Sequence, residues 1–151
     1  MLALQEISDR LELQDLIYAY ASAIDSRDFA KLNDIFAPNA HVDAIAFGGP
    51  VGDVEALLAW IYEATPSIGG THHMMANHQF VIAGDRATGR VMGYNPMDVP
   101  AKEGASRDVI VCGLFYLDEY ARISGSWRIA SRIMQKTYIF RVPLETSSPA
   151  Q

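Results

Sequence analysis

From Thr71 onward the chain carries four long runs that read as strands, residues 71–83, 87–99, 107–122 and 126–141, and these runs are apolar on both faces. In the third run Val109, Val111 and Phe115 fall on one side. Ile110, Cys112, Leu114 and Tyr116 fall on the other. An antiparallel sheet with one wet face would alternate apolar and polar residues. Both faces of this sheet must therefore be covered. Helices can cover one of them. A partner subunit or an enclosed pocket must account for the other, so the pattern argues for a homo-oligomer as well as a cavity. Gly84-Asp85 and Ser124-Gly125 mark turns, and Pro100–Ser106 reads as a polar loop.

The first third supplies helices. Ile7, Leu11, Ile17, Ala21 and Ile24 recur at helical spacing between Glu6 and Asp25. Ser26–Asp28 offers cap residues, and Asp28–Phe36 reads as a short second helix stopped by Ala37-Pro38-Asn39. Ala40–Phe47 is apolar enough for a strand. Gly48-Gly49-Pro50 is a loop, and Asp53 is placed to cap a third helix, Val54–Ala64. Helices first and successive strands afterwards predict an α+β domain with an antiparallel sheet, spanning residues 1–151. The tail, residues 145–151, is expected to fray.

Charge and composition exclude several function classes. The formal net charge is −6, where a nucleic-acid binder wants a basic face. No partner nucleic acid or membrane is expected. No apolar run approaches the roughly 20 residues that cross a bilayer. The acids among the first residues argue against a signal peptide, and one cysteine, Cys112, permits no internal disulfide. A reducing, cytoplasmic location is the expectation. Glycine-rich phosphate loops are absent, and no cofactor is expected.

Asp25 breaks its local rule. It sits near the edge of the apolar helical stripe and in the last turn, where a carboxylate meets the negative end of the helix dipole. Such conflicts concentrate at functional sites. The plainer account is that Asp25 opens the turn and caps the next helix with Ser26 and Asp28. His73 is the second candidate. In Thr71-His72-His73-Met74, neighbouring side chains point to opposite faces, so one histidine faces the interior. A buried neutral imidazole needs a partner for its N–H. A carboxylate such as Asp25 would fix the tautomer and leave the other nitrogen as a base. The plainer account is a satisfied core histidine.

Other residues are weaker candidates. His72 and His78 share a strand face but stand six residues apart, roughly 20 Å at strand rise, so no metal site is expected. Cys112 reads as a buried structural thiol. Tyr20, Tyr94 and Tyr116 are candidate hydrogen-bond donors to a substrate. Arg107 and Arg132 are candidates for holding an anion or enolate, with an ion pair as the plainer account.

The run Arg10-Leu11, Gln14-Asp15-Leu16-Ile17, Tyr20-Ala21, Asp25-Ser26-Arg27-Asp28, Leu32, Ile35-Phe36-Ala37-Pro38-Asn39-Ala40 resembles the SnoaL-like branch of the nuclear transport factor 2 (NTF2-like) superfamily. Tyr116-Leu117-Asp118-Glu119-Tyr120 and Gly125-Ser126-Trp127-Arg128-Ile129 resemble its closing strands. The resemblance implies a cone-like curved antiparallel sheet (a cystatin-like shape) wrapped around N-terminal helices and enclosing an apolar pocket. Scytalone dehydratase and hexachlorocyclohexane dehydrochlorinase are similar at Asp25 and His73; there the histidine is the base and the aspartate orients it. Both are trimers. The linings differ. Ile24, Ala44 and the neighbourhood of Ala101 stand where the dehydratase has two tyrosines and a second histidine. Leu114 and Tyr116 replace its serine and asparagine. Tyr20 replaces a lysine of the dehydrochlorinase.

The resemblance therefore implies a cofactor-independent lyase of dehydratase or dehydrohalogenase type, with His73 and Asp25 catalytic and a small apolar cyclic or polyketide-like substrate. An isomerase would use the same pair. A non-catalytic subunit, like the small subunit of a ring-hydroxylating oxygenase, would need neither residue. A homotrimer is favoured over a dimer.

Overall fold

The computed structural model describes residues 1–102 and 106–144. The expected frayed tail, 145–151, lies outside the described residues, as does the middle of the 100–106 loop. Helix α1 spans Leu4–Asp25. Its buried face is Leu13, Ile17, Tyr20, Ala21 and Ile24, with Leu13 and Ile17 fully buried. Each of those two contributes about 1.5–3 kcal/mol of apolar burial. After it come a 3₁₀ turn, Phe29–Lys31, and one helical turn, α2 (Leu32–Ile35). Strand β1 is Phe36–Asp43 and β2 is Val51–Gly52. Helix α3, Val54–Ala64, is capped by the Asp53 carboxylate, which accepts from the Ala56 N–H at 2.9 Å. The long strands are β3 (Met74–Ala83), β4 (Arg86–Pro100), β5 (Arg107–Ile123) and β6 (Ser126–Pro143).

The α+β reading holds, with one correction to the sheet. It is mixed, not antiparallel, with strand order β2-β1-β6-β5-β4-β3. The β3–β4–β5–β6 meander is antiparallel, but β1 lies parallel beside β6. The sheet also stays open, with β2 and β3 as its edges. Helix α1 touches both β3 and β6, and β1, which comes after it in the chain, joins the sheet beside the last strand.

Two local boundaries also differ. The second helix is split and ends at Ile35, because Phe36 already pairs with Ile129 of β6. Pro38 and Asn39 do not end a helix; they form an irregularity inside β1, where Asn39 takes a φ of 60°. Residues 45–47 leave the strand for a 3₁₀ turn. At the other hairpin, Ser124 and Gly125 both have positive φ, as a two-residue loop between right-twisted strands demands.

One ion cluster holds α1 to the sheet, and a second, fully buried, joins two strands within it. Asp9, nearly buried on α1, meets Arg122 of β5 and accepts a hydrogen bond from the Trp127 indole at 3.4 Å. Asp118 and Arg132, adjacent on β5 and β6, are both fully buried. They make a bidentate pair at 2.8 and 2.7 Å, and the Tyr120 hydroxyl donates to the same carboxylate at 2.7 Å.

Candidate active site

The concave side of the sheet, α1 and α3 border a half-open cavity of about 300 Å³. Leu57, Trp60 and Ile61 of α3 cover it, and Met97, Ile110, Leu114 and Met134 of the sheet form its floor. The lining is almost wholly apolar. The exceptions are His73, Tyr20, Tyr116, Asn95 and Thr65, with the thiol of Cys112.

His73 lies just before β3, in the irregular stretch His72–His73. Here the β3–β4 ladder thins, because Pro96 opposite has no N–H to donate; only the His72 N–H to Pro96 carbonyl bond forms, at 3.1 Å. The His73 N–H donates instead to Asp25 Oδ2 at 2.8 Å. The His73 ring Nδ1 lies 2.6 Å from Asp25 Oδ1. One carboxylate at the end of α1 thus holds both the backbone and the ring of one residue.

The electrostatics fix the tautomer. Burial works to raise the Asp25 carboxyl, but the ring and backbone hydrogen bonds from His73 outweigh it and hold the group below the usual carboxylate value. An ionised carboxylate only accepts, so Nδ1 carries the hydrogen, and in the neutral imidazole Nε2 is the nitrogen left with a lone pair. The Asp25 carboxylate makes no capping bond to the next turn, whose N-cap, Asp28, also has none. The side chains of His73 and Asp25 are 11% and 25% exposed, so histidine is the inner member and aspartate the outer.

Tyr20 and Tyr116 line the cavity beside His73, with the Tyr20 ring 6.4 Å from the imidazole and 5.9 Å from the Tyr116 ring. Burial pushes both phenols up, against the opposing pull of the Arg132 cation. They remain protonated donors. Arg132 itself does not line the cavity. It lies beneath both tyrosines, its guanidinium carbon 4.1 Å from one ring centroid and 4.5 Å from the other. Its partner is Asp118, so the expected anion-binding role gives way to a buried ion pair.

Two more sequence candidates fall outside the cavity. Tyr94 is not among the lining residues; Asn95 and Met97 face the cavity, and strand alternation turns Tyr94 to the convex face. Arg107 pairs with Asp98 at 2.5 Å and donates to the Ser67 carbonyl at 3.2 Å, tethering the segment that follows α3. Cys112 does line the cavity; burial pushes its thiol up and keeps it protonated, so it is not a nucleophile. Among the described residues no group of three or more His, Cys, Asp or Glu side chains is placed to hold a metal ion. No described helix is long and apolar enough to cross a membrane.

Sequence reasoning missed Asn95. The signal was present: asparagine is depleted in strands, yet it stands in the middle of a long one.

An open curved sheet folded over helices, with a part-buried His–Asp pair at the cavity wall, defines an α+β protein of the NTF2-like shape. More narrowly, the chain belongs to the SnoaL-like family, whose domain model matches residues 5–133. An uncharacterized protein of Mycobacterium tuberculosis is 38% identical over 138 residues, covering 91% of this chain and 92% of that one. Among solved structures, the type 3 hexachlorocyclohexane dehydrochlorinase of Novosphingobium barchaimii superposes with a TM-score of 0.77 at 20% identity, covering 98% of both chains. A candidate scytalone dehydratase of Novosphingobium aromaticivorans gives 0.76 at 13% identity, covering 96% of this chain and 97% of that one. At such identities the structural likeness shows the fold.

Proposed function

We propose that this protein is a cofactor-independent lyase of the dehydratase or dehydrohalogenase type, in which His73 is the general base and Asp25 orients it. The observation that carries this reading is the double hydrogen bond from His73 to Asp25 at the wall of an apolar cavity. Nε2 takes the proton from a carbon next to an activating group. The C–H electron pair becomes the new double bond, and the leaving group on the neighbouring carbon departs with its bonding pair. If hydroxide leaves, the imidazolium returns the proton and water is released. The hydroxyls of Tyr20 and Tyr116 face the charge that develops on a carbonyl oxygen. The substrate is a small, mostly apolar ring that fits about 300 Å³. The solved dehydrochlorinase and candidate dehydratase, similar in fold, agree with this class.

The test is exchange of the α-protons of 1-tetralone in deuterated water, followed by NMR, because it reads proton abstraction whatever the leaving group. His73→Ala should slow the catalysed exchange by about 10²–10⁴-fold. If the wild-type protein exchanges no faster than buffer with any of a set of cyclic ketones, β-hydroxyketones and chlorinated cyclohexanes, the reading fails. A binding or structural subunit is then the better account. We also propose a homotrimer. Its support is the run Tyr138, Ile139, Phe140 and Val142 on the last strand and Leu144 just past it, each 44–48% exposed in the single chain. Light scattering reads the mass directly; a monomer overturns this assembly.

A further inference from the structure

Asn95 is 5% exposed and lines the cavity. Its Nδ2 donates to the Tyr116 hydroxyl at 3.0 Å. Its Oδ1 has no hydrogen-bond partner among the described residues. Leaving a buried amide oxygen unpaired is costly, and an apolar side chain of the same size would avoid the cost. The sequence keeps an asparagine here, in the middle of β4, although asparagine is a poor strand residue.

The other half of the couple is also incomplete. The Tyr116 oxygen accepts from Asn95, and no described residue receives its proton. Burial keeps that phenol protonated. The couple therefore offers one donor, the phenol O–H, beside one acceptor, the amide oxygen. Turning the amide over exchanges the two roles but leaves one donor and one acceptor. The surrounding lining, Leu114, Met97 and Met134, supplies neither.

We infer that Asn95 and Tyr116 form a recognition couple for a ring bearing a hydroxyl beside a carbonyl, the hydroxyl donating to the amide and the carbonyl accepting from the phenol. This deepens the proposed lyase function and rests on the cavity being the substrate site. It narrows the substrate to an oxygenated ring, because a chlorinated hydrocarbon has no O–H to satisfy the amide. Asn95 is then a specificity residue, not a catalytic one, and His73 acts on the ring from the side of α1.

The test compares 2-hydroxy-1-tetralone with 2-methyl-1-tetralone. The two match in shape, and neither has a group to expel at its β-carbon. Affinity is read by titration calorimetry. Occupancy of this cavity is read by the change in emission of Trp60, a lining residue, against the constant signal of the buried Trp127 outside the cavity. The wild-type protein should bind the hydroxyl compound about tenfold more tightly than the methyl compound. Asn95→Leu should abolish or reverse that preference while still binding the methyl compound. Tyr116→Phe, nearly isosteric, should weaken both compounds, since both carry the carbonyl that the phenol holds, which keeps the test sound if the leucine variant does not fold. Equal affinities in the wild-type protein, a preference unchanged in Asn95→Leu, affinities unchanged in Tyr116→Phe, or binding that leaves the Trp60 emission unchanged overturns the inference. The exchange assay on 1-tetralone separates the two readings. Exchange through His73 without a hydroxyl preference sinks the recognition couple alone. A hydroxyl preference without exchange sinks the base and leaves the couple standing.

Discussion

Asp25 occupies a place that helix electrostatics disfavour, and its two hydrogen bonds from His73 are what make the place tolerable. The cost of a carboxylate at a helix C-terminus is offset by an interaction that exists only in the folded chain. That has a pH signature. The folded carboxyl lies below the ordinary aspartate value of 3.8, so the stability it contributes is present above about pH 4 and is lost as pH falls through the lowered folded value. Asp25→Asn should therefore flatten the acid limb of the stability curve, read by urea denaturation from pH 5 to 2. The same variant should slow α-proton exchange, because an amide no longer fixes the Nδ1–H tautomer. Arg132 offers a second residue-scale contrast. Its pair with Asp118 is fully buried, and removing one partner strands the other charge. Arg132→Met should cost about 3–5 kcal/mol. Asp118→Leu added to Arg132→Met should recover much of that, measured as the shift in denaturation midpoint.

At the scale of elements, the segment between α3 and β3 deserves the most weight, because it carries both cover and chemistry. Ile68 lines the cavity, and His73 follows five residues later. Arg27, in the turn after α1 with a φ of 59°, donates to the carbonyls of Ile68 at 2.5 Å and Gly69 at 2.9 Å. Arg107 holds Ser67 from the other side. Asp25 and Arg27 together fix the two ends of this segment from one turn. Arg27→Ala should speed amide exchange across residues 67–73 with little change elsewhere, measured by hydrogen–deuterium exchange mass spectrometry. It should raise KM more than it lowers kcat, because it loosens the cover and leaves the Asp25–His73 bonds in place. Much of this layout was legible in the chain. The long strands announced themselves by length and by turn residues, and their bounds fall within a few residues of the expectation. β1 did not, because Pro38-Asn39 reads as a stop when local chemistry alone is weighed, whereas an edge-side irregularity can absorb both. Its parallel pairing with β6 depends on two segments about ninety residues apart, and no local pattern encodes that. The dyad was legible because Asp25 violated a rule. For Arg132 the plainer account, an ion pair, is what the structure shows; its partner Asp118 was not legible, because alternation along a strand gives a face and not a partner.

For the whole molecule, the consequence of this architecture is that polar chemistry is buried deep on the concave side. Tyr20, Tyr116 and Tyr120 sit around one ion pair, and burial pushes all three phenols up. A raised folded value means that folding favours the protonated phenol. The stability so conferred is complete below the unfolded value of about 10 and declines as pH rises toward the folded values. Thermal stability should therefore fall steadily above pH 10. The ultraviolet signal of these three phenolates should appear together with unfolding, as a cooperative step distinct from the gradual titration of an exposed tyrosine. If all seven tyrosines titrate smoothly in the folded state, the packed interior described here is wrong.

One last consequence belongs to β3, which is an open edge of the sheet. Unpaired donors along such an edge recruit strands from other molecules, and proteins that keep an edge must blunt it. Asp25 does this at one point, since its carboxylate occupies the His73 N–H. The residue that holds the imidazole thus also guards the border of the sheet. Substituting it with an apolar side chain frees the imidazole and, in the same stroke, offers a neighbouring chain a place to begin aggregation.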